Sequence, residues 1–192
     1  MANICSNWAV FTGSKENLQA MYDNVMKAKQ KSIDLGSASG SLHYDTYPIA
    51  LGLDSKEEGN PYDEYGSRYF ELDMFWEKDV VVISGGSAWS PVSEFFRKLS
   101  EVYSLDVNSD YDEGGADIGG YFNCEKGVVT RDEVMSWHQF MYLEHSESFW
   151  ETLSENISEG LYANTAEVIE AYSEIDFTPY DIKEIESIFN QL

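Results

Sequence analysis

The sequence predicts an α+β protein: a ferredoxin-like βαββαβ domain over residues 1–127, with an acidic helical part over 128–192 expected to pack on it. Three observations carry this. Apolar runs and amphipathic stretches follow one another as strand, helix, strand, strand, helix, strand, with one extra strand. The last third shows helical spacing and helix-start signals. The composition, 43% hydrophobic and 15% aromatic, is too apolar for a disordered acidic tail. At 192 residues the chain fits one ordinary domain, or one with an appendage, and can bury about two-thirds of its unfolded surface.

Trp8-Ala9-Val10-Phe11 reads as a short buried strand ending at Gly13. Ser14 can N-cap a helix to about Lys31, with Leu18, Met21, Tyr22 and Val25 on its apolar face. Gly36 to Ser41 is a flexible linker by composition, and 42–66 lacks a clear period, so 36–66 reads as a long excursion. Tyr69 to Trp76 and Asp79 to Ser84 read as strands joined by a tight turn at Glu77-Lys78. Ser90 as N-cap with Pro91 in the first turn opens a helix carrying Phe95, Phe96, Leu99 and Val102. A strand begins at Leu105 to Val107, Asp110 to Asp117 reads as an acidic turn, and Ile118 to Cys124 is a further strand. Thr130 and Glu133 form a capping box that opens a helix to about Ile157, and Asn164 with Glu167 forms another. Thr178-Pro179 starts the last helix, with Ile182, Ile185, Ile188 and Phe189 at helical spacing.

Charge narrows the function classes. Twelve Lys and Arg stand against 35 Asp and Glu, a net charge of −23. Such a field repels phosphate, which argues against direct binding to DNA, RNA or an anionic membrane and leaves a basic protein surface as the matching partner. The charge is uneven: residues 1–31 carry +2, 32–131 carry −12, and 132–192 carry −13 with Lys183 as their one Lys or Arg. Cys5 and Cys124 form no CxxC pair and no zinc spacing, so both read as buried free thiols of a reducing cytoplasm. The first residues show no signal-peptide pattern, and the longest purely apolar run, Val80 to Ile83, is far below the about 20 residues of a membrane span. The expected location is cytoplasmic.

No motif for catalysis or metal binding emerges. His43, His138 and His145 stand in no nucleophile–base signature. Gly85-Gly86-Ser87 follows a strand but lacks the phosphate-loop lysine. His138 and His145, with Glu144 nearby, are seven apart rather than at i, i+4. Asn108, Asp110 and Asp112 alternate like calcium-loop ligands, yet Glu113 replaces the loop glycine and Gly119 the bidentate glutamate. No pair is singled out among 35 acids for glycoside chemistry. The expectation is therefore no enzyme, no metal and no cofactor.

The arrangement of acids stands out. Glu144, Glu147, Glu151, Glu155 and Glu159 are spaced 3, 4, 4 and 4 apart. On one continuous helix they form a stripe of about 22 Å with a charge every 5–6 Å or so. Glu167, Glu170 and Glu174 form a shorter stripe, and Asp110, Asp112 and Glu113 an acidic turn. Like charges at i, i+4 cost a helix a few tenths of a kcal/mol each, roughly, and almost no Lys or Arg offsets them here. Such a line can occupy a groove that tracks a phosphate backbone, with fast, salt-sensitive association. Tyr44, Tyr47, Tyr62, Tyr65, Tyr69 and Tyr111 lie among acids, as hot-spot aromatics or as cover for the core.

Three stretches resemble the YubB-like family of phage and plasmid proteins: Met1-Ala-Asn-Ile-Cys-Ser-Asn7 with Thr12-Gly13; Ser87-Ala-Trp-Ser-Pro91; and Leu99-Ser100 with Tyr111-Asp-Glu-Gly-Gly115 and Ile118-Gly-Gly120. They cover about residues 1–13 and 80–127. The family's Trp-Gly-Thr-Lys-Trp-type segment has no counterpart at Phe70 to Trp76, nor does the acidic helical tail have one in the family. The resemblance implies a ferredoxin-like domain and a mobile-element origin, and it brings no catalytic activity with it. The expected function is a phage or plasmid accessory protein that inhibits a host nucleic-acid-binding defence complex, of CRISPR or restriction type, by occupying its basic groove. The other class is a structural or regulatory interaction module of the mobile element whose acidity serves solubility. An enzyme of unrecognised type is the third.

Overall fold

In the computed structural model, which describes residues 3–37, 41–53 and 64–191, the first strand is β1 (Ile4–Thr12). Its alternate residues Cys5, Asn7, Ala9 and Phe11 are buried, the period-2 pattern of a strand with one face on a core. Helix α1 (Lys15–Asp34) follows, and Ser14 Oγ accepts from Asn17 N at 3.2 Å, as the cap residue predicts. A short β2 (Leu42–His43), a 3-10 turn (Tyr44–Thr46) and α2 (Tyr47–Ala50) come next. Then follow β3 (Tyr69–Glu77), β4 (Val80–Ala88), α3 (Ser93–Tyr103), β5 (Asp106–Glu113), β6 (Ile118–Glu125) and β7 (Val128–Met135). The helices of the last third are α4 (Trp137–Glu144), α5 (Ser146–Ser158), α6 (Thr165–Ala171) and α7 (Pro179–Gln191).

Among the described residues the strands form one seven-stranded sheet in the order β2-β3-β4-β1-β5-β6-β7. Taking β1, α1, β3, β4, α3 and β5 as the βαββαβ unit, its second, third, first and fourth strands lie side by side, and each pairing is antiparallel. The α+β, ferredoxin-like class read from the sequence is the one observed. Helices α1 and α3 pack on one face of the sheet: Leu18, Met21, Val25 and Ala28 join Phe95, Phe96 and Leu99 over Phe11, Phe70, Ile83 and Val107.

Several elements differ from the expectation. The chain over 42–50 is part of the core, with Leu42, Tyr47 and Ala50 fully buried; its elements are too short to show a period. Residues 38–40 of the expected linker lie outside the described residues. Ser90 does not cap α3, which starts two residues after Pro91 with Val92 as cap residue. Ser90 Oγ instead donates to the Gly66 carbonyl, and Val92 N donates to Asn7 Oδ1 at 3.0 Å. Val102 is exposed, and Tyr103 takes its place in the apolar stripe.

The larger corrections concern two acidic segments. Asp110 to Glu113 is not a turn but the end of β5, where Val107, Ser109, Tyr111 and Glu113 alternate inward while Asp106, Asp110 and Asp112 are only half-buried. Thr130 and Glu133 do not open a helix, since 128–135 is a strand beside β6 in which Val128, Val129, Thr130 and Val134 are β-branched. The helix begins at Trp137 after the cap residue Ser136, whose Oγ accepts from Gln139 N at 3.1 Å, and it breaks at His145 (φ −129°, ψ 47°). The break has a packing reason. Phe140 and Phe149 are both buried, and nine residues on a continuous helix would place them on opposite sides, about 180° apart.

The chain divides into two compact units, Met1–Ala116 with Gly120–Val134, and Asp117–Gly119 with Met135–Leu192. The change thus follows β7 rather than residue 127. The second unit has its own core of Phe149, Leu153, Ile157, Val168, Tyr172, Ile175 and Ile185. Its caps follow the sequence: Glu167 N donates to Asn164 Oδ1 at 3.1 Å, and Asp181 N to Thr178 Oγ1 at 3.3 Å.

Candidate functional site

In the second unit, Glu147, Glu151 and Glu155 lie on α5 and Glu159 is its C-cap residue; all four are exposed. With about 1.5 Å of rise per residue they span about 18 Å of one helix. Glu144 is also exposed but ends α4, on the other side of the His145 break, so the five glutamates do not form one continuous stripe. Apolar Phe149, Leu153 and Ile157 hold the opposite side of α5 in the core.

The shorter stripe is also altered. Glu167 caps α6: its Oε2 accepts from Ala163 N at 2.8 Å and its Oε1 from Asn164 Nδ2 at 3.2 Å. Glu170 is exposed on α6, while Glu174 lies beyond the helix end and accepts from Ser136 Oγ at 3.1 Å. On the first unit, Asp110 and Asp112 face outward from β5. Glu113 does not: it is 3% exposed, and its Oε1 accepts from Gly115 N at 3.1 Å. It is removed from the contact residues, because strand alternation turns it inward.

The tyrosines also redistribute. Tyr47 and Tyr65 pack in the core at 4.6 Å between ring centres, Tyr111 is buried, and Tyr69 is half-buried. The Tyr44 side chain and Tyr62 lie outside the described residues.

One surface escaped the sequence reading: the face of the sheet that carries neither α1 nor α3. Strand register sets its rows. Glu71, Gly86, Ser6 and Asp112 form one, Asp73, Ser84, Trp8 and Asp110 the next, and Phe75, Val82, Val10 and Asn108 a third. Trp8 and Phe75 lie on it as an edge-to-face pair at 6.2 Å. The alternation Glu71-Leu72-Asp73-Met74-Phe75-Trp76-Glu77 was the available signal. It is blurred because Met74 and Trp76, on the helix side, and Phe75, on the outer side, read as one apolar run.

Neither cysteine is poised for chemistry. Both are buried and free. Burial, with the Asp112 carboxylate beside it, pushes the Cys5 thiol up to about 12, and burial also raises Cys124. His138 stands edge-on to Trp137 and Tyr172 and is 3.5 Å from Asp117, and His145 packs on Phe140. Among the described residues no three His, Cys, Asp or Glu side chains are grouped to hold a metal ion. Among them, too, no helix is long and apolar enough to cross a membrane.

Residues 73–153 match the family model described as the ferredoxin-like domain in Api92-like protein. No curated protein matches the chain. A crystal structure of the protein api92 from Yersinia pseudotuberculosis has 10% sequence identity, covers 71% of this chain and 98% of its own, and superposes with a TM-score of 0.39. The chain carries a ferredoxin-like domain that is similar, over those matched residues, to the one in Api92-like proteins.

Proposed function

We propose that this protein is a non-catalytic interaction module whose acidic helical unit occupies the basic groove of a nucleic-acid-binding protein. One observation carries the reading: Glu144, Glu147, Glu151, Glu155, Glu159 and Glu170 are all exposed, and Lys183 is the one Lys or Arg between 132 and 192. An exposed helix ordinarily mixes signs, and this one accepts the repulsion of like charges at i, i+4. The finer reading is a YubB-like phage or plasmid accessory protein of the host cytoplasm, with a defence complex of CRISPR or restriction type as its target. It rests on the motifs at 1–13 and 80–127.

The test is inhibition of DNA cleavage by such complexes. Inhibition is expected to weaken by about tenfold or more between about 50 and 300 mM salt. Reversing Glu147, Glu151 and Glu155 to Lys is expected to abolish it. Full inhibition by that variant overturns the reading. A second reading, a regulatory module whose acidity serves solubility, draws support from Glu167 and Glu174, which are engaged in hydrogen bonds within their own unit.

A further inference from the structure

We propose that the face of the sheet opposite α1 and α3 is a separate docking surface for a Lys/Arg-rich polypeptide segment with a central apolar anchor. It lies in the other unit from the acidic helices and uses different residues. The centre is apolar and accessible: Ile4 is 51% exposed, Trp8 42% and Phe75 40%, all on outward positions of β1 and β3. Between them β4 carries only the small residues Val82, Ser84 and Gly86, with Val82 buried and Ser84 and Gly86 half-buried beside the rings. An aromatic pair exposed to this degree is strong anchor material for an interface.

Charge selects the occupant. Glu71, Asp73 and Glu77 flank the rings on β3, and Asp106, Asp110 and Asp112 flank them on β5. The two rails lie three strand spacings apart, about 14 Å. No outward position of β1, β3, β4 or β5 holds Lys or Arg. Lys29 Nζ donates to the Leu72 carbonyl at 2.7 Å and is 3.7 Å from Asp73, and Arg131 pairs with Glu133 and covers the Tyr121 ring. An apolar side chain seated on Trp8 and Phe75 leaves basic residues on either side within reach of a rail, and a cation over the indole adds a cation–π contact. Aromatics on an open sheet of this kind can stack nucleobases, but six flanking carboxylates repel the phosphates that would come with them.

The experiment titrates the full chain with a labelled alternating Arg-Leu peptide, its Glu-Leu counterpart and oligouridine. Only the Arg-Leu peptide is expected to bind. Its affinity should drop about tenfold in Trp8→Ala and comparably in the Asp73→Lys, Asp110→Lys double variant. Reversal of Glu147, Glu151 and Glu155 to Lys should leave it within about twofold. A photo-crosslinking Arg-Leu peptide should attach to β1 or β3 of the unaltered protein, which decides the matter even if a variant misfolds. Unchanged binding by Trp8→Ala and the double variant, crosslinks confined to α5, or binding of oligouridine instead overturns the proposal.

Discussion

Asn7 shows how much one buried polar side chain can specify. It is 5% exposed; its Nδ2 donates to the Cys5 carbonyl at 2.9 Å and to Ser87 Oγ at 2.8 Å, and its Oδ1 accepts from Val92 N. One residue of β1 thus fixes the end of β4 and the start of α3. Beside it, the Cys5 thiol is held protonated at neutral pH, because burial and the Asp112 carboxylate both disfavour the thiolate. Cys5 and Cys124 are therefore expected to resist iodoacetamide in the native state and to react at once on unfolding. Mass spectrometry of the labelled chain checks this, and rapid modification of the native protein would count against the packing described.

At the scale of elements, local caps and tertiary pairing compete. Ser14, Asn164 and Thr178 cap as their sequence signatures predict, since a cap bond spans only three residues. Thr130 and Glu133 carry an equally good signature, yet pairing beside β6 makes them a strand. The start of α7 is tied further by Asp181, whose Oδ2 accepts from Thr178 N, Thr178 Oγ1 and Tyr142 Oη. Burial pushes this carboxyl up, but the Thr178 and Tyr142 bonds outweigh it, and the net shift is below the ordinary aspartate value. A lowered native value means that the stability it brings is present above the unfolded value, near pH 3.9 or so, and is lost as pH falls through the native one. Asp181→Asn is expected to cost about 1 kcal/mol at neutral pH, with the gap to the unaltered protein closing below about pH 4. Denaturant melts across that range measure it.

For the molecule as a whole, the charge of −23 has a cost that can be measured. Glu151 stands four residues from both Glu147 and Glu155 on α5, so it faces two like charges. Glu151→Gln is expected to stabilise the protein by roughly 0.2–0.5 kcal/mol per relieved pair at low salt, with the gain fading as salt rises. Thermal melts at two ionic strengths check the sign. A variant that is more stable yet weaker at its target would tie the acidity to binding; a stabilised variant with unchanged binding would tie it to solubility.

The sequence by itself determined the fold class, the βαββαβ order, most of the first unit's strands, both buried thiols and three of the helix caps. These are set by apolar period and by bonds between near neighbours, which a chain displays in order. Tertiary structure decided where the acids went. Strand register, a pairing between distant segments, turned Glu113 inward and set Asp110 and Asp112 in rows with Ser6 and Trp8. The burial of both Phe140 and Phe149 broke a helix at His145 and separated Glu144 from the glutamates of α5. The paired rings of Trp8 and Phe75 belong to that second class, because no spacing along the chain brings residue 8 beside residue 75.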